Sequence, residues 1–152
     1  PQRFGRRRDF RRSSRANPYR AAGRPGGLTD ALAADIFLKL ETRQRTRSFK
    51  DRCAFVKLKQ VAQEKNNGII IISAGNHAQG VAYHAQRSGI AATIVMPKGT
   101  PFTKITRTQG SDARIVLEGD SVSDAKPYAD EIPNKEGFVF IHPYEDTHII
   151  GG

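Results

Sequence analysis

Four short apolar runs recur at nearly constant intervals: Ile69–Ile72, Ala92–Met96, Arg114–Leu117 and Phe138–Ile141. Their starts are 23, 22 and 24 residues apart. The runs are rich in β-branched residues and continuous rather than alternating, which is the pattern of strands covered on both faces. Between them lie helical stretches at about Asn76–Arg87, Phe102–Gln109 and Ser121–Ile132, the first closed by Ser88-Gly89 and the second by Gly110. Antiparallel neighbours need only a tight turn, whereas a helix-length crossover joins parallel strands and is right-handed. The spacing therefore predicts an α/β fold: a four-stranded parallel sheet with helices on both faces.

Upstream, Asp35–Leu40 alternates well enough for a short strand. Ser48 is placed to N-cap a helix, with Asp51 three residues on completing a capping-box-like pair. Ala54, Leu58 and Val61 then recur at helical spacing as far as about Lys65, and Asn66-Asn67-Gly68 ends the pattern.

The formal charge of +10 is unevenly placed. Residues 1–27 hold nine Arg and one Asp, while residues 28–152 hold 16 Lys plus Arg against 14 Asp plus Glu. The chain divides accordingly into a basic tail (1–27), a segment (28–66) carrying a lysine at a helix start, and the parallel α/β unit (67–152). The tail is too poor in aliphatics to order itself. It reads either as a solvated terminus, or as an Arg-rich targeting presequence or an arm for nucleic acid or an acidic surface; sparse aromatic residues and the lack of an RNA-binding motif favour the solvated terminus. One cysteine, Cys53, excludes an internal disulfide and suits a reducing, cytoplasmic compartment. No apolar run approaches the roughly 20 residues that cross a bilayer. The chain starts at Pro1 and ends at Gly152, directly after Ile149-Ile150, so both ends are expected to be cut.

In open α/β sheets ligands bind beyond the carboxyl ends of the strands. The loop Ser73-Ala74-Gly75-Asn76-His77-Ala78-Gln79-Gly80 follows the first run and opens a helix. Gly75 permits close backbone approach, and the free N–H groups near Asn76 and His77 favour an anion. Ser73 and Asn76 add side-chain donors. The loop reads as a carboxylate cradle or as an ordinary strand-to-helix turn; it is neither a Walker loop nor a dinucleotide fingerprint. Lys50, in Ser48-Phe49-Lys50, sits in a first helical turn, where the dipole disfavours a cation. Such a lysine is either a solvated surface residue or an amine whose charge is destabilised, able to form a Schiff base with a carbonyl cofactor. Phe49 offers a face to an aromatic ring.

These stretches resemble the threonine dehydratase (threonine ammonia-lyase) family of fold-type-II enzymes dependent on pyridoxal 5′-phosphate. The resemblance is carried by Phe37–Glu41 with Arg45-Thr46 and Ser48-Phe49-Lys50, by Ser73–Ala82, by Thr93–Pro97, and by His142-Pro143-Tyr144-Glu145-Asp146, in that order. It covers about Leu28 to Gly152. It implies that Lys50 holds the cofactor and acts as base, that Phe49 packs near the pyridine ring, and that Asn76 bonds the cofactor's phenolic oxygen. Ser73, Gly75, Asn76 and His77 would grip the substrate carboxylate, with His77 giving its backbone N–H. The implied reaction is α,β-elimination from L-threonine, or L-serine, to 2-oxobutanoate, or pyruvate, and ammonia, with a homo-oligomer for the full-length protein and isoleucine biosynthesis as its setting. Related racemases carry a serine where this chain has Ala74, which favours the dehydratase. His142 shapes a turn, and Cys53 packs inward.

The chain departs from the family at Arg47 and Cys53, where glycine is usual, and at Gly110–Ala113. The family's glycine-rich phosphate loop comes later than Gly152. The resemblance therefore implies the small domain with an incomplete large domain, a fragment weak or inactive alone. The competing reading is a non-catalytic α/β module with a binding tail.

Overall fold

A computed structural model describes residues 22–23, 25–64 and 66–151. The chain parts into two compact units, Pro1–Ser48 and Phe49–Gly152. In the first, β1 (Ala22–Gly23) pairs antiparallel with β2 (Leu38–Lys39), α1 spans Gly26–Ala31, and a 3-10 turn covers Glu41–Arg43. The tail expected to run to residue 27 therefore yields to regular structure from Ala22, because β2 supplies backbone partners and Pro25 precedes a helical turn. The reading of residues 1–21 as a disordered arm falls outside the described residues.

The second unit holds α2 (Lys50–Val61), β3 (Ile69–Ile72), α3 (Asn76–Ser88), β4 (Ala92–Met96), α4 (Phe102–Gln109), β5 (Arg114–Leu117), α5 (Val122–Glu136), β6 (Val139–Phe140) and α6 (Thr147–Ile150). The strands order as β5-β4-β3-β6, all parallel, with Ile69 opposite Ala92 and Val139, and Thr93 opposite Arg114. The four isoleucines of β3 are all buried and divide by period two. Ile69 and Ile71 pack with α2, α3 and Ala92, Ile94 and Met96 of β4, while Ile70 and Ile72 pack with Val95 and with Ala125, Ala129 and Ile132 of α5. The sheet is thus covered on both faces, as its sequence requires.

Two strands differ from expectation. β5 is partly exposed along its length and β6 keeps only two residues, because both are edge strands with one hydrogen-bonded neighbour each. The sequence grouped the lysine helix with residues 28–66; here α2 lies in the same unit as the sheet, since Cys53, Ala54, Leu58 and Val61 are buried in the α3 face of the core. The helix also starts one residue later than a Ser48 cap would give, with Phe49 at the capping position and no side-chain cap bond.

Candidate active site

The site is built where α2 and α3 begin. Ser73 continues the ladder beyond β3 by donating its N–H to the Val95 carbonyl at 3.0 Å. Its hydroxyl accepts from the Gly75 N–H at 3.3 Å, which folds the chain back into α3. Gly75 occupies the capping position with extended backbone, and no side chain caps the helix. The first N–H groups of α3 have no acceptor inside the helix. A Cβ added at Gly75 would meet nothing within 4 Å, so the space before α3 is open. Asn76 is exposed at its edge, whereas His77 faces inward and is buried.

α3 carries Gly80 where α2 comes closest. A Cβ there would lie 3.0 Å from the Lys50 carbonyl oxygen and 3.3 Å from the Ala54 Cβ. This close approach brings Lys50 beside the first turn of α3. The Lys50 ammonium donates to the Pro143 carbonyl at 2.6 Å. It lies 5.5 Å from the Phe49 ring centroid and 4.7 Å from that of Tyr144. An amine flanked by two exposed aromatic rings results, within contact range for cation–π attraction.

His77 registers that amine electrically. Burial, then the Lys50 charge and His142, lower its pKa from 6.5 to about 4; the Ile141 carbonyl and Asp146 pull the other way without outweighing them. Neither ring nitrogen of His77 has a hydrogen-bond partner of good geometry. The imidazole is therefore neutral near pH 7, a buried polar group beside an ammonium.

The segment after β6 is held rigidly. The His142 Nδ1 accepts from the N–H groups of Tyr144 at 3.2 Å and Glu145 at 2.9 Å, so this ring does shape a turn. Asp146 caps α6, accepting from His148 and Ile149 at 2.9 and 3.3 Å, and pairs with Lys57 of α2 at 2.9 Å. Burial pushes the Asp146 carboxyl up, but the Lys57 ammonium and the two N–H groups hold it below the usual carboxylate range. The sequence singled out Phe49, Lys50, Ser73, Gly75, Asn76 and His77. The structure adds Pro143, Tyr144, Lys57 and Asp146; Pro143, Tyr144 and Asp146 lie in the His142–Asp146 motif of the resemblance, and Lys57 had no sequence signal.

The residues present fit part of a pyridoxal phosphate site: an amine between rings, next to an uncapped helix start with open space before it and an unsatisfied buried imidazole. Among the described residues there is no cluster that could hold a metal ion, and no helix is long and apolar enough to cross a membrane.

Residues 23–152 match the family described as pyridoxal-phosphate dependent enzyme. The chain is 45% identical over 126 residues to an L-threonine ammonia-lyase of Thermotoga maritima, covering 82% of this chain and 31% of that protein. Its fold superposes on the processed form of threonine deaminase isoform 2 from Solanum lycopersicum with a TM-score of 0.81 and 36% identity, over 88% of this chain and 37% of that one. A maize serine racemase superposes at 0.79 with 26% identity, over 93% and 45% of the two chains. The chain spans about a third of the length of the curated relatives it matches. With the family match spanning residues 23–152, the chain belongs to the pyridoxal-phosphate dependent enzymes.

Proposed function

We propose that this chain supplies the amine and the carboxylate-binding turn of a threonine ammonia-lyase, which removes water from L-threonine, or L-serine, and releases ammonia and a 2-oxo acid. The observation that carries the reading is the Lys50 amine held between the Phe49 and Tyr144 rings on a helix that packs closely on α3 at Gly80. When bound, pyridoxal phosphate supplies an electron-withdrawing ring that acidifies the substrate's α-carbon. Lys50 would hold that group, and its Nζ is the base that would move a proton at the substrate's α-carbon. Phe49 and Tyr144 bracket the amine and narrow its access to water.

The first turn of α3 binds the substrate carboxylate through the N–H groups near Asn76 and His77. The Ser73 hydroxyl and the Asn76 amide add hydrogen bonds, and Asn76 would also hold the cofactor through its phenolic oxygen. A neutral His77 leaves this turn without a competing cation or anion of its own. Ala74 has no proton to exchange at the opposite face, which supports elimination over racemisation. A reducing, cytoplasmic setting accords with the single buried cysteine.

Borohydride reduction of the chain with pyridoxal phosphate, followed by peptide mapping, tests the reading. Lys50 should carry the label well above the exposed lysines, and L-threonine should protect it. Label spread evenly over the surface lysines, with Lys50 unmarked, would remove the assignment.

A further inference from the structure

The pair Asp51–His84 lies outside every role assigned above. His84 Nε2 sits 2.6 Å from Asp51 Oδ1, with both side chains largely out of solvent. Asp51 directly follows Lys50 in α2, and His84 lies two turns into α3. We propose that Asp51 and His84 are positioning residues: their contact sets the roll of α2 against α3 and so aims Lys50 at the turn that opens α3. The inference deepens the reading of Lys50 as the cofactor amine and rests on it.

Three features of the geometry carry it. First, α3 touches the start of α2 at two heights. At Gly80 the contact is steric, with the Lys50 carbonyl oxygen 3.0 Å from where a Cβ would stand. One turn on, His84 makes a directional bond to Asp51. His77, Gly80 and His84 share one face of α3 by their spacing of three and four. A steric contact fixes how near two helices lie but lets them roll; a short directional bond on a side chain does not.

Second, His84 has little freedom to seek another partner. Its ring stands 5.5 Å from that of Phe55 and 4.9 Å, edge-on, from that of Tyr83. Third, Lys50 and Asp51 are successive on one helix, about 100° apart, so neither can turn without the other. A roll of about 20° on a helix of roughly 2.3 Å radius moves the base of Lys50 by on the order of 1 Å. A misplacement of that size at a reacting group can cost about 100-fold in rate. The acid at position 51 also suits the helix dipole that the lysine before it opposes.

The test uses the full 152-residue chain, pyridoxal 5′-phosphate and borohydride, and reads the label on Lys50 relative to the exposed Lys98 and Lys126. Thermal midpoints are measured alongside. His84→Ala should lower the Lys50 ratio about tenfold or more, while His84→Gln, which keeps a donor for Asp51, should stay within about threefold of the parent. Val61→Ala, at the far end of α2, should lower the midpoint and leave the ratio unchanged. Asp51→Asn serves if His84→Ala does not fold. A lowered midpoint with an unchanged ratio in His84→Ala, or a His84→Gln chain as impaired as His84→Ala, would overturn the proposal. A parent chain with no preference for Lys50 would instead overturn the assignment of that lysine, and the proposal with it.

Discussion

The chain contains the Ser-x-x-Asp spacing at two helix starts, Ser48 to Asp51 and Ser121 to Asp124; the second forms a capping box, whereas at the first Ser48 stands one residue before the capping position. At α5 the exchange is reciprocal: Ser121 Oγ accepts from the Asp124 N–H at 3.2 Å, and Asp124 Oδ2 accepts from the Ser121 N–H at 2.9 Å. At α2 the helix begins at Lys50, Phe49 takes the capping position, and the Asp51 carboxylate turns to His84 on the next helix. Asp124 is exposed and its carboxylate also accepts from the Ser121 hydroxyl at 2.8 Å, whereas Asp51 is buried against α3. The same spacing thus makes a reciprocal cap where the site is solvated, and where it is buried the carboxylate takes a tertiary partner through a charge-assisted bond.

The sharpest way to break this contrast is to remove Asp51. A lost exposed cap costs about 1 kcal/mol, whereas removing one partner of a largely buried hydrogen bond to a carboxylate costs about 3 kcal/mol. Asp51→Ala should fall in the second class by urea unfolding. His84→Ala should cost a similar amount, and the double variant little more than either, because the two share one interaction. Full additivity of the two losses would show that the residues act independently.

Acid separates the two ends of the lysine site by a different route. His77 is folded with a pKa near 4 and unfolded near 6.5. Between those values the unfolded chain binds more protons, so stability rises with pH across this window and is lost as pH falls from about 6.5 toward 4, by about 3 kcal/mol in total. Asp146, held below the usual carboxylate range, contributes stability that persists through that window and goes only at lower pH. His77→Asn should flatten the upper part of the profile and leave the acid limb in place. An unchanged slope from pH 4 to 6.5 would mean that the imidazole is not the group being titrated.

How much of this was legible depends on whether the determinant was local. The isoleucines of β3 announced a strand buried on both faces, and Gly89, at φ 65°, ended α3 where a left-handed residue is needed. The run Arg114–Leu117 looked equally buried but forms an edge, since apolar composition does not say how many neighbours a strand will have. Arg47, noted as replacing a usual glycine, has φ 57°, so that substitution carries left-handed strain. The turn at Ser73–Gly80 was visible because its parts are consecutive. Pro143 lies 93 residues from the Lys50 amine it receives, and His84 lies 33 from Asp51, and no periodicity links residues so far apart.

The smallest effect belongs to the capping box itself. Ser121→Ala should cost about 1 kcal/mol or less, measured by thermal unfolding at pH 7. The two bonds from Ser121, side chain before backbone, hold the Asp124 carboxyl below its ordinary range. Its contribution is then present above the unfolded pKa and fades as pH falls through the folded one. In Ser121→Ala that acid-dependent part should shrink, because the hydroxyl is the larger cause of the depressed carboxyl. Salt should weaken what remains, as it does for any charge at a solvated helix start. The Asp51–His84 pair, shielded between two helices, should be far less sensitive to salt. If both losses proved equal in size and equally sensitive to salt, burial would not be what sends one Ser-x-x-Asp to its own backbone and the other to a neighbouring helix.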